Sequence, residues 1–271
     1  MVDNKLKHSF EQTFTLTFGD VAENHARMVK HGVMADRGFT REELITTKRW
    51  FKAKGAVTRL VKLHNFLPDN LNNDIKKANK AWVLVIKNGV NLILNDNNGA
   101  TALYNEQNAL QKDTKALMYG RVVSKHARHN LCFGDNAIAA NYEAGLGTVV
   151  AFDTVPLTKR IRETLGTILP SMQNLQLEGN YYYDVNTCGI GWHGDSERLK
   201  VVGIRLGATI PLVYCWFHDN KPITPIINEN DIKLEHGDIY IMSEKAVGND
   251  WKKKNSYTLR HAAGSKKYIQ L

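Results

Sequence analysis

Cysteine is scarce in this chain: Cys132, Cys188 and Cys215 are its three, an odd number with no CxxC pair. A disulfide framework is not indicated, and free thiols in a reducing compartment are the simplest reading. Long apolar runs are missing as well. None approaches the roughly 18 residues of a membrane-spanning helix, and the opening MVDNKLKHSFEQ has neither the apolar stretch nor the cleavage site of a signal peptide. An intracellular protein, in cytoplasm or nucleus and without a membrane partner, is expected. GxxxxGKS/T does not occur, so that phosphate-binding turn is absent, and GxSxG is absent too. No internal repeat is apparent.

What is present is a chain of 271 residues, 43% hydrophobic, enough for a substantial core in one large domain or two small ones. Its formal charge of +9 favours a polyanionic partner such as nucleic acid.

Residues 1–75 read as mostly helical. Asp20 with Glu23 makes a capping-box signal ahead of VAENHARMVKHG, with Gly32 as the stop. Thr40 with Glu43 makes another, ahead of a helix carrying Leu44, Trp50 and Phe51. A polar stretch at 68–80 marks a boundary, giving a helical region 1–75 and a second domain 76–271. Beyond it, AWVLVIKNGVNLIL holds two apolar runs around Asn88-Gly89, which predicts a β-hairpin. ALYNEQNALQKDTKALMYG predicts a helix ending at Gly120. PLTKRIRETLGTIL predicts another, with Leu157, Ile161, Leu165 and Ile168 at helical spacing. Short strands follow: LEGNYYY, KVVGIRLG, TIPLVYCWF, ITPIINE, IKLEHGDIYIM, SYTLRHA and KKYIQL. Such strands between Gly, Asn and Pro turns point to a double-sheet barrel or jelly roll, not to alternating βαβ units.

His-Gly-Asp occurs twice. His236-Gly237-Asp238 runs straight into Ile239-Tyr240-Ile241-Met242 and reads as a turn opening a strand. His193-Gly194-Asp195 instead sits in NYYYDVNTCGIGWHGDSE, among aromatic and polar residues. In extended chain, residues two apart project to the same side, so His193 and Asp195 can take neighbouring positions on one metal ion. A second imidazole would complete the 2-His-1-carboxylate face, which leaves positions open on Fe(II) for a cosubstrate and O2. His25 and His31, six apart, do not suit a shared metal. In RVVSKHARHNLCFGD, Lys125, Arg128 and His129 suit a phosphate backbone or, equally, a solvated strand edge. For Lys252-Lys253-Lys254 a solvated loop is the plainer reading.

Five segments in order resemble the AlkB family of 2-oxoglutarate- and Fe(II)-dependent oxygenases: VVSKHARHNLCFGD, PLTKRIRETL, YYYDVNTCGIGWHGDSE, IRLGATIPLVYCW and LEHGDIYIM. The resemblance covers roughly residues 120–271, while residues 1–75 match no family. It implies an α+β fold: a double-stranded β-helix (jelly-roll) core with flanking helices and a mostly helical N-terminal region. It implies His193, Asp195 and His261 as metal ligands, His261 lying 68 residues beyond His193. Tyr183 takes the place of the tyrosine that bonds the cosubstrate. Tyr181 then stands where the family has asparagine, and Asn180 lies one residue early. The family's C-terminal arginine for the distal carboxylate has no counterpart in AAGSKKYIQL. Lys267 is the expected substitute, with Lys266 and Arg260 behind it, because a buried carboxylate requires a cation.

The function implied is hydroxylation of a methylated or methyl-bearing base in DNA or RNA, as oxidative demethylation or base hydroxylation, by a monomeric dioxygenase using Fe(II), 2-oxoglutarate and O2. Lys125, Arg128 and His129 would hold the strand, and Glu197 or Arg198 would touch the base. Two alternatives share the sequence signals: a 2-oxoglutarate oxygenase of protein side chains or small molecules, and a non-enzymatic basic nucleic-acid-binding module.

Overall fold

TFTLTFG alternates polar and apolar residues with the period of a strand, and it forms a strand in the interior of the molecule. The structure, a computed structural model, describes residues 10–228 and 230–271. In chain order, β1 (Thr13–Gly19) is followed by a short hairpin, β2 (Val21–Glu23) and β3 (Lys30–Gly32), then α1 (Arg41–Ala53), β4 (Thr58–Lys62) and α2 (Asn73–Ala78). Next come β5 (Trp82–Ile86), α3 (Gly89–Leu94), α4 (Gly99–Asn108), and a second hairpin of β6 (Lys115–Met118) and β7 (Arg121–Ser124). β8 (His129–Gly134), β9 (Val149–Ala151) and α5 (Pro156–Ile168) lead to β10 (Gln176–Tyr182), β11 (Gly189–His193) and β12 (Val201–Gly207). β13 (Leu212–His218), β14 (Lys221–Pro222), β15 (Ile239–Met242), α6 (Glu244–Val247), β16 (Thr258–Gly264) and α7 (Lys266–Ile269) complete the chain.

The architecture is mixed α+β and rich in strand. An eight-stranded sheet has the order β4-β5-β15-β12-β1-β10-β8-β9, and a four-stranded sheet the order β11-β16-β13-β14. From β10 onward the chain alternates between them: β10 large, β11 small, β12 large, β13 and β14 small, β15 large, β16 small. Phe14, Leu16 and Phe18 of β1 face a layer of helices, packing with Leu44 and Phe51 of α1, Ile93 of α3 and Ile161 and Leu165 of α5. The opposite face of the large sheet meets the small sheet, where Val83, Val201 and Tyr240 pack with Tyr214, Trp216 and Leu259. Both faces of the central strands are thus covered, and the space between the sheets is where polar chemistry can be enclosed.

Several expectations need correction. Residues 10–75 are not mostly helical; residues 1–9 of the region expected to be helical lie outside the described ones. Asp20 caps no helix. Its carboxylate accepts from the backbone N–H of Ala35, Leu199 and Lys200 at 2.8 to 3.2 Å and ties the β2–β3 hairpin to the start of β12. The box at Thr40 and Glu43 does open α1, with both reciprocal bonds formed. The boundary at 76 does not divide the sheet, since β1 lies between β10 and β12 and β4 pairs with β5.

Asn88-Gly89 closes no hairpin. β5 already has β4 on one edge and β15 on the other, and Asn88, in the left-handed region at φ 56°, turns the chain into α3. The helix expected to end at Gly120 stops at Asn108, where Lys112 donates to the carbonyls of Gln107, Asn108 and Leu110. Tyr119 and Gly120, both at positive φ, then turn β6 into β7. Among its described residues ITPIINE contributes a single bridge, Ile227 to Tyr214, and KKYIQL forms α7, not a strand. Among the described residues no helix is long and apolar enough to cross a membrane.

Candidate metal centre

A bulge in β11 decides which residue opposes His261. Ile190 pairs with Ala263, but His193 pairs with His261, so one extra residue is accommodated between them. Bulges of this kind re-aim a side chain; without it Trp192 would stand opposite His261. The bulge also supplies an orienting group. His193 Nδ1 lies 2.7 Å from the carbonyl oxygen of Gly191, which can only accept, so Nδ1 carries the proton and Nε2 of the neutral ring presents its lone pair.

His193 Nε2 and His261 Nε2 each lie 3.5 Å from the same oxygen, Asp195 Oδ1. One ligand atom from each of the three residues lies within 4.8 Å of the others. Ligands at right angles on bonds of about 2.1 Å stand roughly 3 Å apart, so little movement is needed to close on an ion. Asp195 is held from behind. Its N–H donates to Val247 O, and Arg198 Nε lies 3.4 Å from Oδ2. Burial opposes ionisation of Asp195, but its contacts with His193 and His261 and the Arg198 charge hold its carboxyl well below the usual range. Burial pushes His261 down and keeps it the neutral donor a metal requires.

The three residues line a cavity of about 1040 Å³ between the sheets. Strand alternation chooses its other walls. On β10, Glu178, Asn180 and Tyr182 face inward, while Leu177 and Tyr181 face the helices. On β12, Val201 and Arg205 face inward, while Val202, Ile204 and Leu206 join the helical side. Arg198 is buried among carboxylates, paired with Glu178 and, at 2.8 Å, with Glu197. Burial raises the Glu197 carboxyl, against the pull of Arg198. At the mouth stand His25, Arg27 and Lys30 of the β2–β3 hairpin, with Arg128, Trp251 and Lys252. Glu23 of that hairpin is pushed up to about 6 by burial and by the Glu197 charge.

The residues expected for the site divide. His193, Asp195 and His261 converge as expected, and Asn180, Arg128, Glu197 and Arg198 line the same cavity. Arg128 Nε donates to Asn180 Oδ1, and Arg198 braces Asp195 from a buried position instead of standing at a substrate surface. Tyr183 does not reach the cavity: it is 42% exposed, its hydroxyl donates to His126 O at 2.7 Å, and His129 stacks on its ring at 4.6 Å. Tyr181 donates to Gln107 Oε1 on the helical side. Lys125 is buried, donating to Asn24 Oδ1 at 2.6 Å and Asn130 Oδ1 at 3.0 Å, so it presents no phosphate contact. Lys266 and Lys267 are exposed on α7. Arg260 lies outside the cavity, over Phe217 and Trp251 and donating to Asn220. Tyr182 and Arg205 escaped the sequence reading. Counting by twos from Glu178 would have found the first, and a lone arginine in the apolar strand VVGIRLG flags the second.

No family model matches this chain. A protein of Acanthamoeba polyphaga mimivirus, itself uncharacterized, is 45% identical over 260 residues, covering 96% of this chain and 98% of the viral protein. The chain belongs to the same protein family as that mimivirus protein.

Proposed function

We propose that this protein is an Fe(II)- and 2-oxoglutarate-dependent oxygenase, similar to the AlkB family, that hydroxylates a methyl-bearing base in nucleic acid. The observation that carries this reading is the donor set: two imidazoles and one carboxylate, brought from β11, the following loop and β16 to a common point on a cavity wall. That set on one face, with open space opposite, suits Fe(II) using a bidentate oxygen-donor cosubstrate. The chain's passage back and forth between two facing sheets from β10 to β16, with β1 between β10 and β12, supports reading the core as a double-stranded β-helix.

Bound together, Fe(II) and 2-oxoglutarate supply O2 activation, in which the keto acid becomes succinate and CO2 and one oxygen atom enters a substrate C–H bond. A hydroxylated N-methyl group leaves as formaldehyde, restoring the base, whereas a C-methyl group stays as hydroxymethyl. The chain's own residues do the positioning. Gly191 O fixes the His193 tautomer, and Arg198 with the Val247 carbonyl fixes Asp195. Asn180 and Tyr182 offer hydrogen-bonding groups on the adjoining wall. Arg27, Lys30, Arg128 and Lys252 ring the mouth, where cations hold a phosphate backbone while a base is turned out of its stack into the cavity. Glu197 is placed to accept from a base's amino edge.

The test is anaerobic loading with Fe(II), then 2-oxoglutarate, O2 and mixed modified DNA and RNA oligonucleotides, followed by succinate measurement and product mass spectrometry. Oligonucleotide-dependent succinate in the wild type and none in His193→Ala is expected. Succinate that depends on peptides or small molecules but not oligonucleotides would move the substrate class. No succinate with any substrate would overturn the oxygenase reading.

A further inference from the structure

Two fully buried arginines line the cavity, and they are treated oppositely. Arg198 has three carboxylates around it, those of Asp195, Glu178 and Glu197. Arg205, 1% exposed on β12, has no ion pair among the described residues. Its Nη1 donates to Ile210 O at 3.3 Å, and its Nε is buried without a partner. The neighbouring strand adds a second orphan. Thr15 on β1 stands directly opposite Arg205 on one side and Asn180 on the other, and its hydroxyl is also buried with no hydrogen bond. Both residues line the cavity that holds His193, Asp195 and His261. A buried charge without a counter-ion is costly, and two adjacent buried donors left unmet are rare enough to call for a ligand. With Nη1 engaged, the guanidinium offers its Nε–Nη2 edge, the geometry that grips a carboxylate through two parallel N–H bonds.

We propose that Arg205 and Thr15 bind the distal carboxylate of a dicarboxylate whose other end reaches the His193–Asp195–His261 centre. The reach to the metal rests on the function proposed above; the carboxylate subsite does not. The cation comes from β12 and its hydroxyl partner from the N-terminal strand, in place of the C-terminal lysine that the sequence suggested. The ligand is thereby selected by length and by its second negative charge.

The probes are 2-oxoglutarate and pyruvate, a keto acid without the distal carboxylate, titrated calorimetrically into Mn(II)-loaded protein. Arg205→Gln should weaken 2-oxoglutarate about 10- to 100-fold, the range of a lost charge-assisted bond, with Arg205→Lys in between and Thr15→Val down about 2- to 10-fold. Pyruvate and Mn(II) should bind wild type and Arg205→Gln alike. The Tm of the ligand-free Arg205→Gln protein should equal or exceed that of the wild type, because an unmatched buried charge has been removed; a purely structural arginine would lower it. Unchanged 2-oxoglutarate affinity in Arg205→Gln, or an equal loss for pyruvate, overturns the proposal. Should the wild type take up no Mn(II), the oxygenase reading falls and succinate added to metal-free protein decides the subsite alone. A rise in Tm present in the wild type and lost in Arg205→Gln supports it; the same response in both overturns it.

Discussion

Gly194 lies against the backbone of Gly248 so closely that a Cβ on Gly194 would collide with the Gly248 carbonyl oxygen. Gly248 in turn adopts φ 73° beside Leu259, two residues from His261 along β16. The glycine between His193 and Asp195 is therefore more than an uncrowded spacer: it is the contact that lets this loop rest on the end of α6.

Gly194→Ala should consequently damage the site without touching a ligand. We expect a stability loss of about 1–3 kcal/mol, as for other overpacked positions, and metal affinity lower by roughly 10- to 100-fold, as when a supporting group is lost. Chemical denaturation and metal titration of the variant check this. A variant matching the wild type in both would show that the loop tolerates the displacement.

Tyr182 and Tyr183 are neighbours with opposite fates, one at the cavity wall and the other 42% exposed. Tyr182→Phe should weaken 2-oxoglutarate binding about 5- to 10-fold, one neutral hydrogen bond, and Tyr183→Phe should leave it unchanged. Calorimetric titration of both variants separates them; the reverse ranking would restore Tyr183 as the cosubstrate tyrosine.

Lys125 carries a pH signature. Burial is the main reason its ammonium is pushed down to about 8 from 10.5, with Asp113 pulling the other way. Between those values the unfolded chain holds a proton that the folded chain has lost, so stability rises with pH across this window. The wild type should gain on the order of 3 kcal/mol from pH 8 to 10.5 relative to Lys125→Met, measured as urea midpoints at several pH values. Parallel pH profiles would mean that Lys125 titrates normally.

The basic mouth predicts a salt effect. Removing Arg27, Lys30 or Lys252 singly to alanine should weaken single-stranded oligonucleotide binding irrespective of sequence and reduce the slope of log affinity against log salt by about 1 each. Lys125→Ala should not change that slope, since its ammonium is enclosed by Asn24 and Asn130. Fluorescence anisotropy across a salt series distinguishes the two sets.

Much of this organisation is legible in the residues. The amphipathic α5, the strands β10, β12, β13 and β16, the turn at His236-Gly237-Asp238 and the trio His193, Asp195 and His261 all follow from period, turn chemistry and resemblance. The failures have local causes. A capping box is a short pattern, and Asp20 meets it while serving backbone donors from distant segments. TFTLTFG announces a strand, but its place between β10 and β12 depends on partners more than 150 residues away, which no local window contains. Asn88-Gly89 has the chemistry of a hairpin turn; it cannot act as one because both edges of β5 are taken. Within the site, Tyr182 lines the cavity and Tyr183 is exposed, because a step of one residue in extended chain reverses the face of the side chain. Arg205 needed the sheet partner Thr15 to be recognised as unmatched.

On the proposed function, His193, Asp195 and His261 hold one metal ion together. Anaerobic Fe(II) titration of the wild type and of His193→Ala, Asp195→Ala and His261→Ala, read by metal content after desalting and by the rise in Tm on loading, tests it most directly. One Fe(II) per wild-type chain and a stabilisation of about 2.7 kcal/mol at a hundredfold excess over Kd are expected, both lost in each variant. A wild type that retains no metal, or a His261→Ala protein that binds it as tightly as the wild type, would contradict it.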